Sequence, residues 1–296
     1  MEETPPRPQV HEVDCRSALN AVRGMPFRWG LNPYRGCTHG CHYCYARATH
    51  AYFDLNADDD FTGILMAKRN VVEVLRRELS ARTWHRELVA VGTATDVYQP
   101  LEGRMRLTRG CLEALCDFRT PFSITTKGPM VVRDIDLIRR GGGTVAVSVP
   151  TVDPVIWRRM EPGTAHPLQR LRAVRMLRDA GIHVGVLMAP IVPGLTDDLD
   201  HLAAVARAAA VHGARFLTGN TLYLKGGTRE HFFGFLAASY PHLVPVHRGL
   251  YQSSSYLAAW RKERVKANLS MVREAQGLGA GRWRAEEAEQ LALPLP

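Results

Sequence analysis

The sequence predicts an α/β fold: an open partial (β/α)6 TIM-like barrel with a helical C-terminal extension. Three observations carry this prediction. Short apolar runs alternate with amphipathic helical stretches six times between residues 29 and 239, the pattern of a parallel sheet covered by helices. With 296 residues, the chain holds six such units and is too short for the eight of a closed barrel. Polar runs rich in glycine and proline follow the strands at their C-terminal ends, where barrels carry their chemistry.

The elements follow in order. Residues 29–34 form the first strand and run into a cysteine-bearing loop. Residues 65–80 read as a helix, because Val71, Val72, Leu75 and Leu79 fall on one face. The apolar stretch 88–95 is a strand, 107–118 a helix, 121–126 a strand, and 131–140 a helix closed by three glycines. Residues 144–149 are the fourth strand. Residues 167–180 form a helix with Gly181 at its C-terminal turn, where glycine accepts a left-handed conformation. A strand over 183–191 and an alanine-rich helix over 197–212 follow, then the sixth strand (215–224) and its helix (228–239). The division is an N-terminal segment (1–25) without clear pattern, the partial barrel (26–240), and an extension (241–296). The extension holds a loop at 251–256 and a basic amphipathic helix at 257–272, placed to cover the barrel or meet a substrate. From 277 to 296 it reads as a mobile end.

Composition narrows the classes of function. A hydrophobic fraction of 46% with 23% charged residues is that of a globular protein. No apolar run reaches the ~18 residues of a membrane span, so no membrane partner is expected. The first eight residues carry no apolar signal core, which predicts a cytoplasmic location and suits reduced thiols. Net charge is 38 − 29 = +9. It fits either a polyanionic partner such as nucleic acid or basic side chains spread over solvated faces. Residues 260–266 make the one local basic cluster, and the scatter of the rest favours the second reading.

The densest chemistry lies in Cys37, Cys41 and Cys44, spaced C-x3-C-x2-C with Tyr43 before the third cysteine. Three thiolates hold three irons of a [4Fe–4S] cube and leave the fourth open. A structural zinc site using His39 or His42 as fourth ligand is the rival, but zinc sites bring a second ligand pair and none follows. With Cys15, Cys111 and Cys116 the triplet makes no secreted disulfide framework. Cys111 and Cys116 sit on one helix as small core residues, and Cys15 as incidental. His39 and His42 read as solvated loop histidines.

The cysteine loop resembles that of the radical S-adenosylmethionine (SAM) superfamily. The runs Asn32-Pro33-Tyr34-Arg35-Gly36-Cys37, Cys41 to Arg47, Gly92 to Pro100 and Thr125-Thr126-Lys127 look like its spore photoproduct lyase-like (SplB-like) branch. Within that branch the chain is most similar to the Rv2578c-type radical SAM proteins, from about Arg28 to near Trp260. The resemblance implies an enzyme of lyase or transferase type, with a [4Fe–4S] cluster and SAM as cofactors. It further implies reductive cleavage of SAM to a 5′-deoxyadenosyl radical that abstracts hydrogen from a substrate. Residue by residue, Cys37, Cys41 and Cys44 would ligate the cluster and Tyr43 would lie against the adenine. Thr93 and Asp96 would flank the SAM amino group, Lys127 would meet its carboxylate, Ser148 its ribose or carboxylate, and Ile191 its adenine. An electron donor such as flavodoxin or ferredoxin and, as substrate, nucleic acid are the implied partners.

Two departures bear on the chemistry. Val97 stands where relatives carry proline. Spore photoproduct lyase uses a cysteine near its second strand as hydrogen donor, whereas no cysteine lies between Cys44 and Cys111 here. Tyr45 and Tyr98 are the candidate catalytic relays, set against a plain reading as buried aromatics with bonded hydroxyls. Three functions stay open: a radical SAM enzyme on a macromolecule, one on a small metabolite or peptide, and a non-enzymatic iron–sulfur or zinc protein.

Overall fold

The computed structural model of the chain describes residues 8–281. Its strands are β1 (Gln9–Val13), β2 (Leu19–Ala21), β3 (Trp29–Leu31), β4 (Tyr34–Arg35), β5 (Ile64–Lys68), β6 (Val89–Val91), β7 (Phe122–Thr126), β8 (Thr144–Ser148), β9 (Val184–Ile191) and β10 (Leu217–Thr221). Seven of them form one sheet in the order β10-β9-β8-β7-β6-β3-β2. The six strands from β3 to β10 in this sheet run parallel in chain order, and β2 pairs antiparallel on the edge. β2 and β10 remain as separate edges, so the barrel is open.

The reason these runs form parallel strands is their two-sided burial. Val145, Val147, Val184, Val186 and Leu217 are at most 1% exposed, and such strands read as continuous apolar runs because helices cover one face and the barrel interior the other. The covering helices include Leu107–Asp117, Pro167–Asp179 and Leu199–Val211. Leu112, Leu115, Leu171, Val174, Leu202 and Val205 lock into the same core.

One expected element is corrected. Of the stretch 65–80, only Val71–Leu79 is helical. Ile64–Lys68 is a strand that pairs parallel with β1 and antiparallel with β4 in a separate three-stranded sheet. A short apolar run cannot be assigned by periodicity alone; here the backbone of β1 and β4 decides it. Within the N-terminal segment, Cys15 and Leu19 are held through partners distant in sequence. Asn70 accepts from the Cys15 N–H at 2.8 Å and donates to the Cys15 carbonyl at 3.1 Å, and the Glu78 carboxylate accepts from the Leu19 N–H at 2.9 Å.

Two further elements near the site escaped the periodicity. A 3-10 helix, Tyr45–Phe53, leaves the cysteine loop. The helix Pro154–Met160 is capped by Asp153, whose carboxylate accepts from the N–H groups of Val155 and Ile156, with proline at its first position.

The basic C-terminal helix spans Ala259–Ala275. Val265, Leu269 and Val272 join the main core, and a Cβ on Gly219 of β10 would come within 2.9 Å of Leu269, so the helix seats directly on that edge strand. Beyond it the Leu217 N–H donates to the Gly279 carbonyl at 3.0 Å. Part of the expected mobile end is therefore pinned, and residues 282–296 lie outside the described residues. Among the described residues, no helix is long and apolar enough to cross a membrane.

Candidate active site

The cysteine loop leaves the C-terminal end of the first barrel strand. Gly36 opens it at φ +74°, where a Cβ would come within 2.5 Å of the Ile64 carbonyl oxygen, so glycine alone allows the turn. The loop is then held from several sides. The Cys37 N–H donates to Phe61 O at 3.0 Å and the His42 N–H to Met160 O at 3.0 Å. The Gln99 amide donates to Gly36 O at 3.1 Å and accepts from the Thr38 N–H at 3.2 Å. The buried Arg47 guanidinium donates to the carbonyls of Gly40, Cys41 and Ala57 at 2.7–2.9 Å. Thr228, at the start of the helix Gly227–Ser239, donates to Cys44 O at 3.0 Å.

All six cysteines are free thiols, with Cys37 and Cys41 buried and Cys44 half-buried. Cys37 packs with Ala46 and Phe61, Cys41 with Tyr43 and Met160, and Cys44 touches both groups. Among the described residues, no three His, Cys, Asp or Glu side chains stand in a ready metal-binding arrangement. The donor chemistry nevertheless suits an anionic iron–sulfur group. Three thiols share one loop, and three cations, His39, Arg47 and Lys127, act on them electrostatically. Burial pushes the Cys37 thiol up, but His39 beside it outweighs burial, and the net shift is down. Burial raises Cys41 and Cys44.

His39 is not a solvated loop residue. It is 5% exposed and its Nδ1 lies 3.4 Å from Asp96 Oδ2. Burial disfavours its charge, but Cys37 and Asp96 overcome that and push it up to about 10. Asp96 is fixed further by the Thr126 hydroxyl at 2.6 Å and by the N–H groups of Lys127 at 2.6 Å and Tyr98 at 2.9 Å. Burial would raise the carboxyl; His39 and these donors hold it well below the usual range. His42 is also drawn inward, with Nδ1 2.9 Å from His231 Nε2 and the far nitrogen of His231 at 2.5 Å from Asp58. Burial and His231 push His42 down to about 4.

Sequence reasoning missed Glu161. This carboxylate is fully buried in the loop after the helix Pro154–Met160. It accepts from the Tyr43 hydroxyl, pairs with Arg170 at 2.6 Å and approaches Lys127 Nζ at 4.0 Å. Lys127 in turn stands 5.6 Å above the Tyr43 ring. Burial would raise the carboxyl, yet Arg170 and Lys127 hold it down. Arg170, itself 0% exposed, also donates to the carbonyls of Ser148 and Ala165 and to the Thr164 hydroxyl. The loop is seated on the cysteines: the Gly163 N–H donates to His39 O at 3.1 Å, and a Cβ there would come within 2.1 Å of Thr38 O. The only sequence signal was a Glu-Pro-Gly turn at 161–163 after a proline-started helix.

Tyr43, Asp96, Lys127 and Ser148 are thus joined through Glu161, Arg170 and His39 around the cysteine loop. Thr93 accepts from the Asn32 amide at 3.2 Å, and Ile191 is buried at the end of β9. The two tyrosines differ. Tyr45 is 49% exposed on the 3-10 helix leaving the cysteines, whereas Tyr98 is 2% exposed with its hydroxyl on Asp134 at 3.0 Å. Cys111 is a buried core residue, and Cys116 Sγ meets Leu137 O at 3.3 Å.

A family model described as the radical SAM superfamily matches residues 31–207, the stretch from β3 through most of the helix after β9. The chain belongs to the radical SAM superfamily. It is 40% identical over 293 residues, 96% of its own length and 86% of the relative's, to the uncharacterised protein Rv2578c of Mycobacterium tuberculosis (strain ATCC 25618 / H37Rv). A radical SAM Nα-GlyT isomerase of Pseudomonas phage M6 is 29% identical over 187 residues, covering 60% of this chain and 36% of that one. Among solved structures, spore photoproduct lyase complexed with dinucleoside spore photoproduct superposes with a TM-score of 0.71 at 15% identity, covering 92% of this chain and 80% of that one. At that identity the likeness is one of fold. Radical SAM proteins carry a [4Fe–4S] cluster and SAM, and the buried thiols and surrounding cations described above are compatible with both.

Proposed function

We propose that this radical SAM protein is an enzyme that abstracts hydrogen from a nucleic acid substrate at the open mouth of its barrel, with Cys37, Cys41 and Cys44 ligating its cluster. The observation that carries the reading is the convergence on one loop of three thiols and the Lys127–Tyr43–Glu161–Arg170 network. When bound, the cluster and SAM supply one electron to the sulfonium and a 5′-deoxyadenosyl radical for hydrogen abstraction.

The protein's own residues bind, orient and exclude water. Lys127 offers an ammonium to the SAM carboxylate, a compact charge suited to that contact. Glu161 holds Lys127 and the Tyr43 hydroxyl so that the ring stands edge-fixed beside the cysteines. Asp96, held by His39, the Thr126 hydroxyl and the N–H groups of Tyr98 and Lys127, would set the loop after the second barrel strand that would flank the SAM amine. Arg170 fixes the Ser148 carbonyl, and Ile191 gives an apolar wall. Tyr45, half exposed beside Cys44, would be the tyrosine open to a substrate, while the buried Tyr98, bonded to Asp134, would serve the core. Nucleic acid as substrate class is supported by the fold shared with spore photoproduct lyase.

Anaerobic reconstitution followed by iron and sulfide analysis tests the ligand assignment. Wild type should take up about four irons per chain. Cys37→Ala, Cys41→Ala and Cys44→Ala should each lose the cluster, while Cys111→Ala keeps it. Retention of the cluster by all three single variants, or zinc in its place, would refute the assignment.

A further inference from the structure

Where β10 ends, the chain continues through Tyr223 and Lys225 and meets the loop ahead of the C-terminal helix. The Leu224 N–H donates to Ser255 O at 2.9 Å, and Tyr223 bridges to Tyr256 antiparallel, their ring centroids 4.7 Å apart. Tyr256 is 61% exposed and Trp260, at the start of the helix Ala259–Ala275, is 64% exposed. Each carries a cation: Lys262 Nζ lies 5.8 Å from the Tyr256 ring and the Arg261 guanidinium 5.9 Å from the Trp260 ring. Arg261 is also anchored by Asp197 at 2.6 Å. Glu263, the acidic neighbour, is within 3.7 Å of Lys266.

This strip lies at the mouth. Thr228, five residues after Tyr223, donates to the Cys44 carbonyl, and a Cβ on the intervening Gly227 would come within 2.7 Å of Ala57 just beyond the 3-10 helix. Two exposed aromatic rings lie within five residues of each other here, and each is paired with a positive charge. That combination matches the stacking platforms of single-stranded nucleic acid sites, where bases lie on aromatic rings and phosphates meet nearby cations. A duplex hides its base faces and cannot use such a platform. The surrounding Gln252, Ser253 and Ser254 are exposed and polar, unlike the apolar centre of a protein–protein interface.

We propose that Tyr256, Trp260, Tyr223, Lys262 and Lys225 bind a single-stranded nucleic acid segment and lead it to the barrel mouth. The proposal deepens the reading above, on which its catalytic meaning rests, by naming the strandedness of the substrate and the surface that holds it.

Fluorescence anisotropy on the full chain tests it, using a fluorescein-labelled oligothymidylate of about 20 nucleotides, long enough to cover several stacked bases, and a duplex of the same length. The single strand should bind more tightly than the duplex, and more weakly as salt rises. Tyr256→Ala and Trp260→Ala should each weaken single-strand binding about tenfold, the loss of one stacked base. Tyr256→Phe, which keeps the ring, should bind as wild type does. Both side chains are over half exposed, and circular dichroism confirms that the variants fold. No binding by wild type, duplex binding as tight as single-strand binding, or alanine variants that bind unchanged would each overturn the proposal. Formation of 5′-deoxyadenosine, measured in parallel, separates the two readings. SAM cleavage without oligonucleotide binding sinks the strip and leaves the enzyme. Oligonucleotide binding through the strip without SAM cleavage upholds the strip and sinks the enzyme.

Discussion

Replacing Glu161 by Gln removes a charge from the fully buried network while keeping the shape of the side chain. Arg170 pairs with it at 2.6 Å and neither side chain has solvent access. Breaking a buried ion pair from one side costs about 3–5 kcal/mol, because the other charge stays buried and uncompensated. Arg170 keeps three acceptors, the carbonyls of Ser148 and Ala165 and the Thr164 hydroxyl. The loss should therefore fall at the low end, about 3 kcal/mol, a large share of the 5–15 kcal/mol that holds a typical domain together. At roughly 2–4 °C per kcal/mol the melting temperature should drop by about 6–12 °C. Urea unfolding of the anaerobic protein measures the free energy, and differential scanning fluorimetry measures the shift. Pairing the change with Arg170→Met should recover part of the loss, a coupling of at least about 1 kcal/mol. If Glu161→Gln is as stable as wild type within about 0.5 kcal/mol, as a surface substitution would be, or if the double variant is additive, the buried pair is not what holds this loop.

Three other outcomes follow from the same geometry. Lys127→Ala should weaken SAM binding by about tenfold or more in calorimetry, the scale of one hydrogen bond to a charged group, with iron content unchanged; unaltered SAM affinity would remove Lys127 from the site. Gly163→Ala places a methyl group where 2.1 Å separates it from the Thr38 carbonyl, so iron uptake and melting temperature should both fall, and a variant that takes up the cluster normally would show that the loop yields freely. Tyr98→Phe leaves the buried Asp134 carboxylate without one donor and should cost about 1–3 kcal/mol in urea unfolding with SAM cleavage intact. A Tyr98→Phe protein as stable as wild type that no longer turns over would instead make Tyr98 a relay.

The parts of the molecule legible in the sequence are those written locally. The strands β6, β8 and β9 are apolar runs because both faces are largely buried, and the cysteine triplet stands within eight consecutive residues, so its spacing is visible without the fold. Glu161 was invisible because its partner Tyr43 lies 118 positions away. The half-buried His42 is drawn inward by His231, 189 positions distant, and by the ring of Phe235 stacked on it at 4.5 Å. The strand Ile64–Lys68 reads as the start of a helix until β1 and β4 offer it a backbone to pair with. His39 has the composition of a loop residue; burial disfavours its charge, and Cys37 beside it together with Asp96, brought in from beyond the second barrel strand, make it an internal cation. What sequence reading lost was therefore long-range pairing, the property that assembles a site at the mouth of a barrel from the ends of separate strands.

The central claim, that Cys37, Cys41 and Cys44 support reductive SAM cleavage, is tested most directly by chromatographic measurement of 5′-deoxyadenosine from the reconstituted, dithionite-reduced protein with SAM and a single-stranded oligonucleotide. The account predicts 5′-deoxyadenosine and methionine from wild type and none from Cys41→Ala. A wild-type protein with its full cluster that leaves SAM intact, or a Cys41→Ala protein that cleaves it equally well, would contradict the account.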